Sequence, residues 1–182
     1  TYYDPETGSF GALGHGITDS DTGILMPFAS GSLLPSAVKA VKKGASGEAG
    51  ELRGDFDLTG DLGDLSANTS SGIFGTLDPG EFTERLGDAI PVASAGEVHT
   101  GPAAILANVE GDAVKEYDIE ILQIVEDAAD SRDLVIAVTD PELLFITGGI
   151  VQGMSGSPIL QDGKFAGAVT HVLLNDPSKG YG

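Results

Sequence analysis

Short runs of alternating or continuous apolar residues recur along the chain, bounded by glycine or other turn-forming residues. Such runs are typical of β-strands. The pattern predicts strands over 23–28, 51–56, 73–77, 103–109, 117–125 and 133–138. A last pair, over 157–160 and 165–172, flanks the sequence QDGK, in which Asp-Gly supplies the left-handed conformations of a tight hairpin turn.

Helical signals are few. Asp78, followed by Pro79, predicts the N-cap and first position of a short helix that ends near Leu86. Asp140 and Pro141 repeat the pattern before the apolar residues 143–146. The Gly-, Ser- and Asp-rich stretch 58–71 predicts a loop between two lobes. We therefore expect an all-β domain of two lobes.

Composition and charge narrow the possible partners. Hydrophobic residues make up 41% of the 182, a globular composition, and the net charge is −19. A surface that negative repels phosphate backbones and anionic lipid headgroups, so nucleic acid is not expected as a partner. The absence of cysteine excludes a disulfide framework and a Cys nucleophile. His15, His99 and His171 are too far apart for a local metal motif, and no metal or organic cofactor is implied.

No stretch approaches the roughly 18–20 apolar residues that span a bilayer, and no signal-peptide pattern opens the chain. We expect no direct membrane insertion by this domain. Because the sequence starts and stops abruptly, we expect an excised domain, with any membrane anchor or targeting segment outside it.

The strongest chemical signal is the segment 153–158, GMSGSP. A nucleophilic serine needs a tight, exposed turn, with backbone N–H groups that converge as an oxyanion hole. Glycines around Ser155 provide that geometry, with the amides of Gly153 and Ser155 as the donors. The segment resembles the nucleophile loop of chymotrypsin-like peptidases, and the hairpin after it continues the likeness. The alternative is an ordinary Gly/Ser turn between strands.

Of the three histidines, His15 is the candidate general base, because apolar residues lead into it and glycines flank it in LGHGITD. An early histidine and a late serine also agree with the chymotrypsin-like order. His171 lies on the strand after the nucleophile hairpin, beside the predicted cleft. His99 is expected to be a solvated surface residue.

Longer matches make the resemblance specific. LGHGITD, GIFGTL, YDIEI, TGGIVQGMSGSPI and GAVTHVLLNDPSKGYG together resemble the SpoIVB peptidase family and extend over nearly all of 1–182. The family implies a chymotrypsin-like double β-barrel and a sporulation protease that cleaves a regulator of an intramembrane protease, a membrane-associated protein. It also implies self-processing and export to the space between forespore and mother-cell membranes. The PDZ domain and membrane segment typical of the family are absent from this chain.

The acidic partner that the family implies matches Asp140, fifteen positions before Ser155. A carboxylate beside His15 would fix its tautomer and stabilise the imidazolium. Asp140 is equally suited to cap a helix, and one carboxylate could do both. Chymotrypsin-like enzymes usually place the acid between His and Ser in the inter-lobe region of the chain, which Asp140 does not occupy. The alternatives are therefore the inter-lobe aspartates and Asp19; the inter-lobe set is Asp55, Asp57, Asp61 and Asp64.

The loop also bears on specificity. In chymotrypsin-like enzymes that cut after Lys or Arg, an Asp six residues before the serine lies at the floor of the primary pocket. Here that position is Gly149, so no anion is expected there to pair with a basic side chain. In many secreted relatives, the residue before the nucleophile is an Asp that pairs with a newly cut N-terminus and thereby assembles the oxyanion hole. Met154 occupies this position here and cannot form that pair. Thr170 and His171 lie on the segment 168–172, which we expect to pair with the substrate main chain.

The residues together predict a serine endopeptidase. The rival hypothesis is a catalytically inactive β-domain that binds peptides or serves in assembly.

Overall fold

The protein is built of two curled β-sheets and a two-stranded ribbon, with two short helices. This architecture comes from a computed structural model that describes residues 1–125 and 132–182. The two sheets fit the two half-barrels of a double β-barrel, so the predicted chymotrypsin-like, all-β fold is confirmed. Within the described stretches, no helix has the length and apolar character needed to cross a membrane.

The first sheet is formed by the amino-terminal part of the chain and has the order β1-β2-β7-β6-β3. Its strands are β1 (Tyr2–Tyr3), β2 (Ser9–Ala12), β3 (Ser32–Leu33), β6 (Gly63–Thr69) and β7 (Gly72–Leu77). Phe10, Ile73 and Leu77 are its buried hydrophobic residues. Helix α1 (Glu81–Glu84) follows the sheet.

The ribbon pairs β4 (Ser36–Lys42) with β5 (Glu51–Phe56). The ribbon is attached at two points to the second lobe, which is the lobe that contains the second sheet. Near one end, Val38 and Gly111 exchange a pair of backbone hydrogen bonds, and at the other end Glu51 forms a parallel bridge with Gln152. The loop around Ser155 is therefore joined to a strand pair from the first half of the chain.

The second sheet has the order β12-β11-β8-β9-β10-β14-β13. Its strands are β8 (Gly101–Glu110), β9 (Ala113–Ile124), β10 (Leu134–Val138), β11 (Pro158–Gln161), β12 (Lys164–Ala168), β13 (His171–Val172) and β14 (Lys179–Tyr181). Helix α2 (Pro141–Thr147) lies between β10 and β11 in the chain. Strands β12 and β13 lie at opposite edges of this sheet. They are nevertheless consecutive in the chain, joined by Val169 and Thr170.

The main core lies inside the second lobe. Alternate residues of its central strands face inward, as the pleat of a strand requires. These residues are Ile105, Ala107, Val109, Tyr117, Ile119, Ile121, Leu134, Ile136 and Val138. Met154, which precedes Ser155, and Val169, whose carbonyl accepts from Gly156 N, belong to the same cluster. The core thus anchors the loop that carries Ser155.

Several sequence predictions of local structure are confirmed. Asp162 and Gly163 have φ of 52° and 74°, the left-handed pair of a tight hairpin turn, and Gln161 pairs with Lys164. Asp140 caps α2, accepting from Leu143 N, and Gly148 ends the helix with φ of 75°.

Three local predictions are wrong. Residues 23–28 form no strand: Leu25 makes a single bridge with Thr18, and Ile24 is 67% exposed. The stretch 58–71 is not all loop, because β6 lies within it and pairs with β7. Because its residues are mostly small, β6 shows no clear alternation of apolar and polar side chains in the sequence. Pairing with β7 stabilises this strand. Helix α1 begins at Glu81, later than the Asp78 cap predicts.

Candidate active site

Ser155 lies on a loop whose backbone is bent by two glycines. Gly153 has φ of 99° and Gly156 has φ of 86°, conformations that favour glycine. Between them, the Met154 side chain is 1% exposed and packs in the core. The amides of Met154 and Ser157 donate to the carbonyls of Val151 and Met154, at 3.1 and 3.0 Å. Because Met154 is anchored inward, Ser155 is turned toward the cleft.

His15 lies directly after a sharp turn at the end of β2. Leu13 and Gly14 have φ of 71° and 72°, and a positive φ at leucine is strained. A Cβ on Gly156 would lie 2.6 Å from Leu13 N, so only glycine permits this approach of the two loops. The close contact carries His15 from the first lobe to Ser155 of the second.

The two side chains are within hydrogen-bonding distance. His15 Nε2 lies 3.0 Å from Ser155 Oγ. Ser155 Oγ also lies 3.2 Å from the carbonyl oxygen of Thr170. The structure thus brings together Ser155 and His15, the residues that the sequence predicts as nucleophile and base.

The other ring nitrogen of His15 determines the tautomer. Nδ1 lies 2.9 Å from the carbonyl oxygen of Gly16, which can only accept a hydrogen bond. In the neutral ring Nδ1 therefore carries the proton, and Nε2 is left as an acceptor for the Ser155 hydroxyl. A backbone carbonyl thus occupies the ring nitrogen that a carboxylate was predicted to contact.

Within the described residues, Asp140 makes no hydrogen bond with His15, and its predicted role as the orienting acid stays a prediction. One carboxylate oxygen accepts from Leu143 N at 2.9 Å, and the other lies 3.5 Å from Asp118 N. The helix cap therefore determines its position, while the Gly16 carbonyl occupies Nδ1 of His15. Of the two roles considered for Asp140, the structure contains the cap.

The alternative acids also lie in other local structures. Asp19 accepts from the Thr22 amide and hydroxyl, and Asp57 likewise from Thr59; hydrogen bonds from these threonine groups lower the pKa of each carboxyl. Asp55, Asp61 and Asp64 are exposed on or near strands β5 and β6. Within residues 1–125 and 132–182, no carboxylate forms a hydrogen bond with His15.

His99 belongs to a surface pair remote from the nucleophile loop. Its Nε2 lies 2.9 Å from the Asp162 carboxylate and its Nδ1 lies 3.0 Å from the Thr100 carbonyl. These two acceptors, the carbonyl first, raise the pKa of the imidazole. The prediction of an exposed, solvated position agrees with a side chain that is 55% exposed.

Gly153 and Ser155 were the predicted oxyanion-hole donors. The amide next to them, Gly156 N, donates to the Val169 carbonyl at 2.7 Å. In the part of the chain that the structure describes, the amides of Gly153 and Ser155 have no hydrogen-bond acceptor. Two unengaged N–H groups beside a serine hydroxyl are what an oxyanion site requires.

Beside Ser155 lies an open cavity of about 190 Å³ with mainly apolar walls. Its apolar lining consists of Ile150, Val151, Val169 and Val172. Thr170 and His171, both predicted to contact substrate, also line it. The His171 ring lies 5.4 Å from the ring of His15, between centroids.

Gly149 is not among the residues that line this cavity, and its predicted place at the pocket floor stays a prediction. Its φ is 133°, and a Cβ there would lie 2.1 Å from the Pro177 carbonyl oxygen. The glycine therefore serves the close packing of two backbone segments, and Ile150 is the first residue of the cavity wall.

Sequence reasoning missed the backbone groups at the site. The Gly16 and Thr170 carbonyls and the contact of β5 with Gln152 have no sequence signal, since every residue carries the same amide and carbonyl. Among the described residues, no group of three or more His, Asp or Glu side chains is arranged to hold a metal ion.

Comparison with known proteins identifies the family. The family model for SpoIVB peptidase S55 matches residues 1–182, the whole chain. No curated protein sequence and no solved structure matches it. The match agrees with the double β-barrel and with the Ser155–His15 hydrogen bond. The chain therefore belongs to the SpoIVB peptidase S55 family and is a serine peptidase.

Proposed function

We propose that the protein is an endopeptidase in which Ser155 is the nucleophile and His15 the general acid and base. The observation that carries the proposal is the 3.0 Å distance from His15 Nε2 to Ser155 Oγ. A base within this range of a hydroxyl can accept its proton as the oxygen attacks.

The chemistry follows from the tautomer. The Ser155 hydroxyl proton moves to Nε2 of His15 as Oγ bonds to the substrate carbonyl carbon. The negative charge that develops on the carbonyl oxygen is stabilised by the amides of Gly153 and Ser155. His15 then gives its proton to the departing amine, and water repeats the sequence on the acyl-enzyme.

The imidazolium in this mechanism faces a carbonyl instead of a carboxylate. The Gly16 carbonyl dipole holds the ring in place but contributes less charge stabilisation than an aspartate would. We expect a modest turnover number, which suits a protease that cuts a few sites in a regulator.

The substrate is a polypeptide with a small or apolar side chain before the scissile bond. Ile150, Val169 and Val172 in the cavity wall support this, because a Lys or Arg would be desolvated there without an anionic partner. Strand β13 ends the order of the second sheet, which supports pairing of its free edge with the substrate main chain.

The biological role that we propose is the one implied by the family resemblance. The protease cleaves a membrane-associated regulator of an intramembrane protease during sporulation, in the space between forespore and mother-cell membranes. It also processes its own chain. The family match supports this role, and the net charge of −19 is compatible with an exported, soluble domain.

Covalent labelling tests the proposal directly. The purified protein is treated with a fluorophosphonate probe and assayed on a denatured protein substrate, with Ser155→Ala as the negative variant. Ser157→Ala is the matched control, since Ser157 lies in the same loop. Labelling and hydrolysis lost only in Ser155→Ala support the proposal. A folded wild-type protein that neither labels nor hydrolyses would instead favour a peptide-binding module.

A further inference from the structure

Strand β5 of the ribbon holds the residue that precedes Gly153. Leu52 N–H donates to the Gln152 carbonyl at 2.8 Å, and Gln152 N–H donates to the Gly50 carbonyl at 2.9 Å. Both backbone groups of Gln152, its N–H and its carbonyl, are thus hydrogen-bonded to one segment from the first half of the chain.

The hydrogen bond from Leu52 to the Gln152 carbonyl also affects the Gly153 N–H, which lies in the same peptide group. The Gln152 carbonyl and the Gly153 N–H belong to one planar unit, in which the two groups point in opposite directions. A donor that fixes the carbonyl therefore fixes the direction of the Gly153 N–H. It also polarises the peptide, which makes this N–H a stronger donor.

Side-chain packing reinforces the same arrangement. A Cβ on Gly153 would lie 3.0 Å from Leu52 Cβ, so the Leu52 side chain lies directly against the Gly153 backbone. Leu52 also packs against the buried core of the second lobe. The strand, the glycine and the core therefore form one rigid contact.

In the part of the chain that the structure describes, the nucleophile loop's own hydrogen bonds do not hold this peptide group. Its internal hydrogen bonds use the carbonyls of Val151 and Met154, and neither belongs to the Gln152–Gly153 unit. The Met154 side chain is buried and uncharged, so it forms no ion pair that could order the loop. Within the described part of the chain, the hydrogen bond that the Gln152 carbonyl accepts comes from Leu52 N–H.

We propose that Leu52 is a positioning residue, whose backbone N–H holds the Gln152–Gly153 peptide with the Gly153 N–H directed at the oxyanion. The inference rests on the proposed function, since it concerns the same reaction. Such a backbone donor would order the loop without an ion pair at the position of Met154.

The test replaces single backbone N–H groups by oxygen. Leu52 is exchanged for its α-hydroxy acid, which removes the donor and keeps the side chain. The matched control is the same exchange at Val38, whose N–H donates to Gly111 at 2.8 Å from the same ribbon. We expect kcat to fall about 10- to 100-fold at Leu52, less than total loss of an oxyanion donor can cost, with KM nearly unchanged. The Val38 ester should lose similar thermal stability and keep its kcat.

Two further measurements isolate the role. The affinity for a peptide boronic acid, which mimics the tetrahedral state, should fall by the same factor as kcat. In a chain whose Gly153 is exchanged for glycolic acid, the Leu52 ester should cause no additional loss, because its effect passes through the missing N–H.

The outcomes separate this inference from the proposed function. An active wild-type enzyme with equal kcat in the Leu52 and Val38 esters overturns the inference alone. A wild-type protein with neither labelling nor hydrolysis overturns both. Should the Leu52 ester not fold, Leu52→Ala provides the second test, because it removes the side chain that packs against Gly153 and keeps the Leu52 N–H in place beside the Gln152 carbonyl. It should lower kcat at constant KM, with recovery in Leu52→Met, and an unchanged kcat in Leu52→Ala would count against the role.

Discussion

Nδ1 of His15 lies 2.9 Å from the carbonyl oxygen of its neighbour Gly16, so the backbone orients the imidazole of this serine peptidase. The same ring reaches Ser155 Oγ with its Nε2 at 3.0 Å. A side chain held at both nitrogens has one productive tautomer, which makes the roles of its neighbours testable one residue at a time.

Removal of either reacting side chain should abolish hydrolysis. We expect Ser155→Ala and His15→Ala each to lower kcat/KM by at least about 10⁴-fold, since the two groups act as a unit. Circular dichroism should show an unchanged fold. Activity above a few per cent in Ser155→Ala, with contamination excluded, would contradict the nucleophile assignment.

Asp140 should matter for stability and hardly for turnover. Asp140→Ala removes the cap of α2 and should lower the free energy of unfolding by about 0.5–2 kcal/mol, while kcat stays within a few-fold of wild type. Asp140→Asn retains a good capping side chain and serves as the matched control. A loss of 10³-fold or more in kcat in either variant would show that the carboxylate reaches His15 in the working enzyme.

Gly149 should also be structural. Gly149→Ala forces a Cβ toward the Pro177 carbonyl at an unfavourable φ, and we expect it to cost about 1–3 kcal/mol of stability. Gly87→Ala is the control, because a Cβ there has open space around it. Denaturant unfolding measures both. A stable Gly149→Ala with altered preference for the residue before the scissile bond would restore Gly149 to the pocket.

Cleavage should favour small or apolar residues over Lys and Arg. The cavity wall of Ile150, Val169 and Val172 offers no anion to a basic side chain. A peptide library assayed as kcat/KM at moderate salt tests this, because salt screens the general attraction of basic peptides to an acidic protein. Val172→Asp should increase the relative rate for Lys and Arg. Strong selection for basic residues by the wild-type enzyme is the result that would refute the cavity assignment.

The His99–Asp162 pair should make a pH-dependent contribution to stability. The pKa of His99 is raised in the folded state by the Thr100 carbonyl and by Asp162, so folding favours the protonated ring. The stabilisation is complete below the ordinary histidine pKa of about 6.5 and is lost as the pH rises through the raised value. Thermal unfolding of wild type and His99→Gln should differ more at pH 5.5 than at pH 8.5, if only slightly for so exposed a pair. An identical difference at both values would exclude this linkage.

Local chemistry was readable from the sequence where it depends on neighbours in the chain. The left-handed turn at Asp162 and Gly163, the Asp140 cap and the glycine-flanked Ser155 all follow from residues within a few positions of one another. The alternation of apolar residues likewise predicted most strands of the second lobe, because their buried face faces a large core.

The tertiary structure alone decided what depends on residues distant in the chain. Strand β6 exists because β7 pairs with it, whereas residues 23–28 have, in the described part of the chain, a single bridge to Thr18 and form no strand. Backbone atoms also make three contacts at the site. The Gly16 carbonyl contacts His15, the Pro177 backbone packs against Gly149, and Leu52 N–H donates to the Gln152 carbonyl. Every residue carries those atoms, so no side-chain pattern records which of them meet. The sequence by itself indicated Ser155, His15 and the kind of fold. Folding decided which backbone groups surround those side chains, because such contacts arise only when distant segments are brought together.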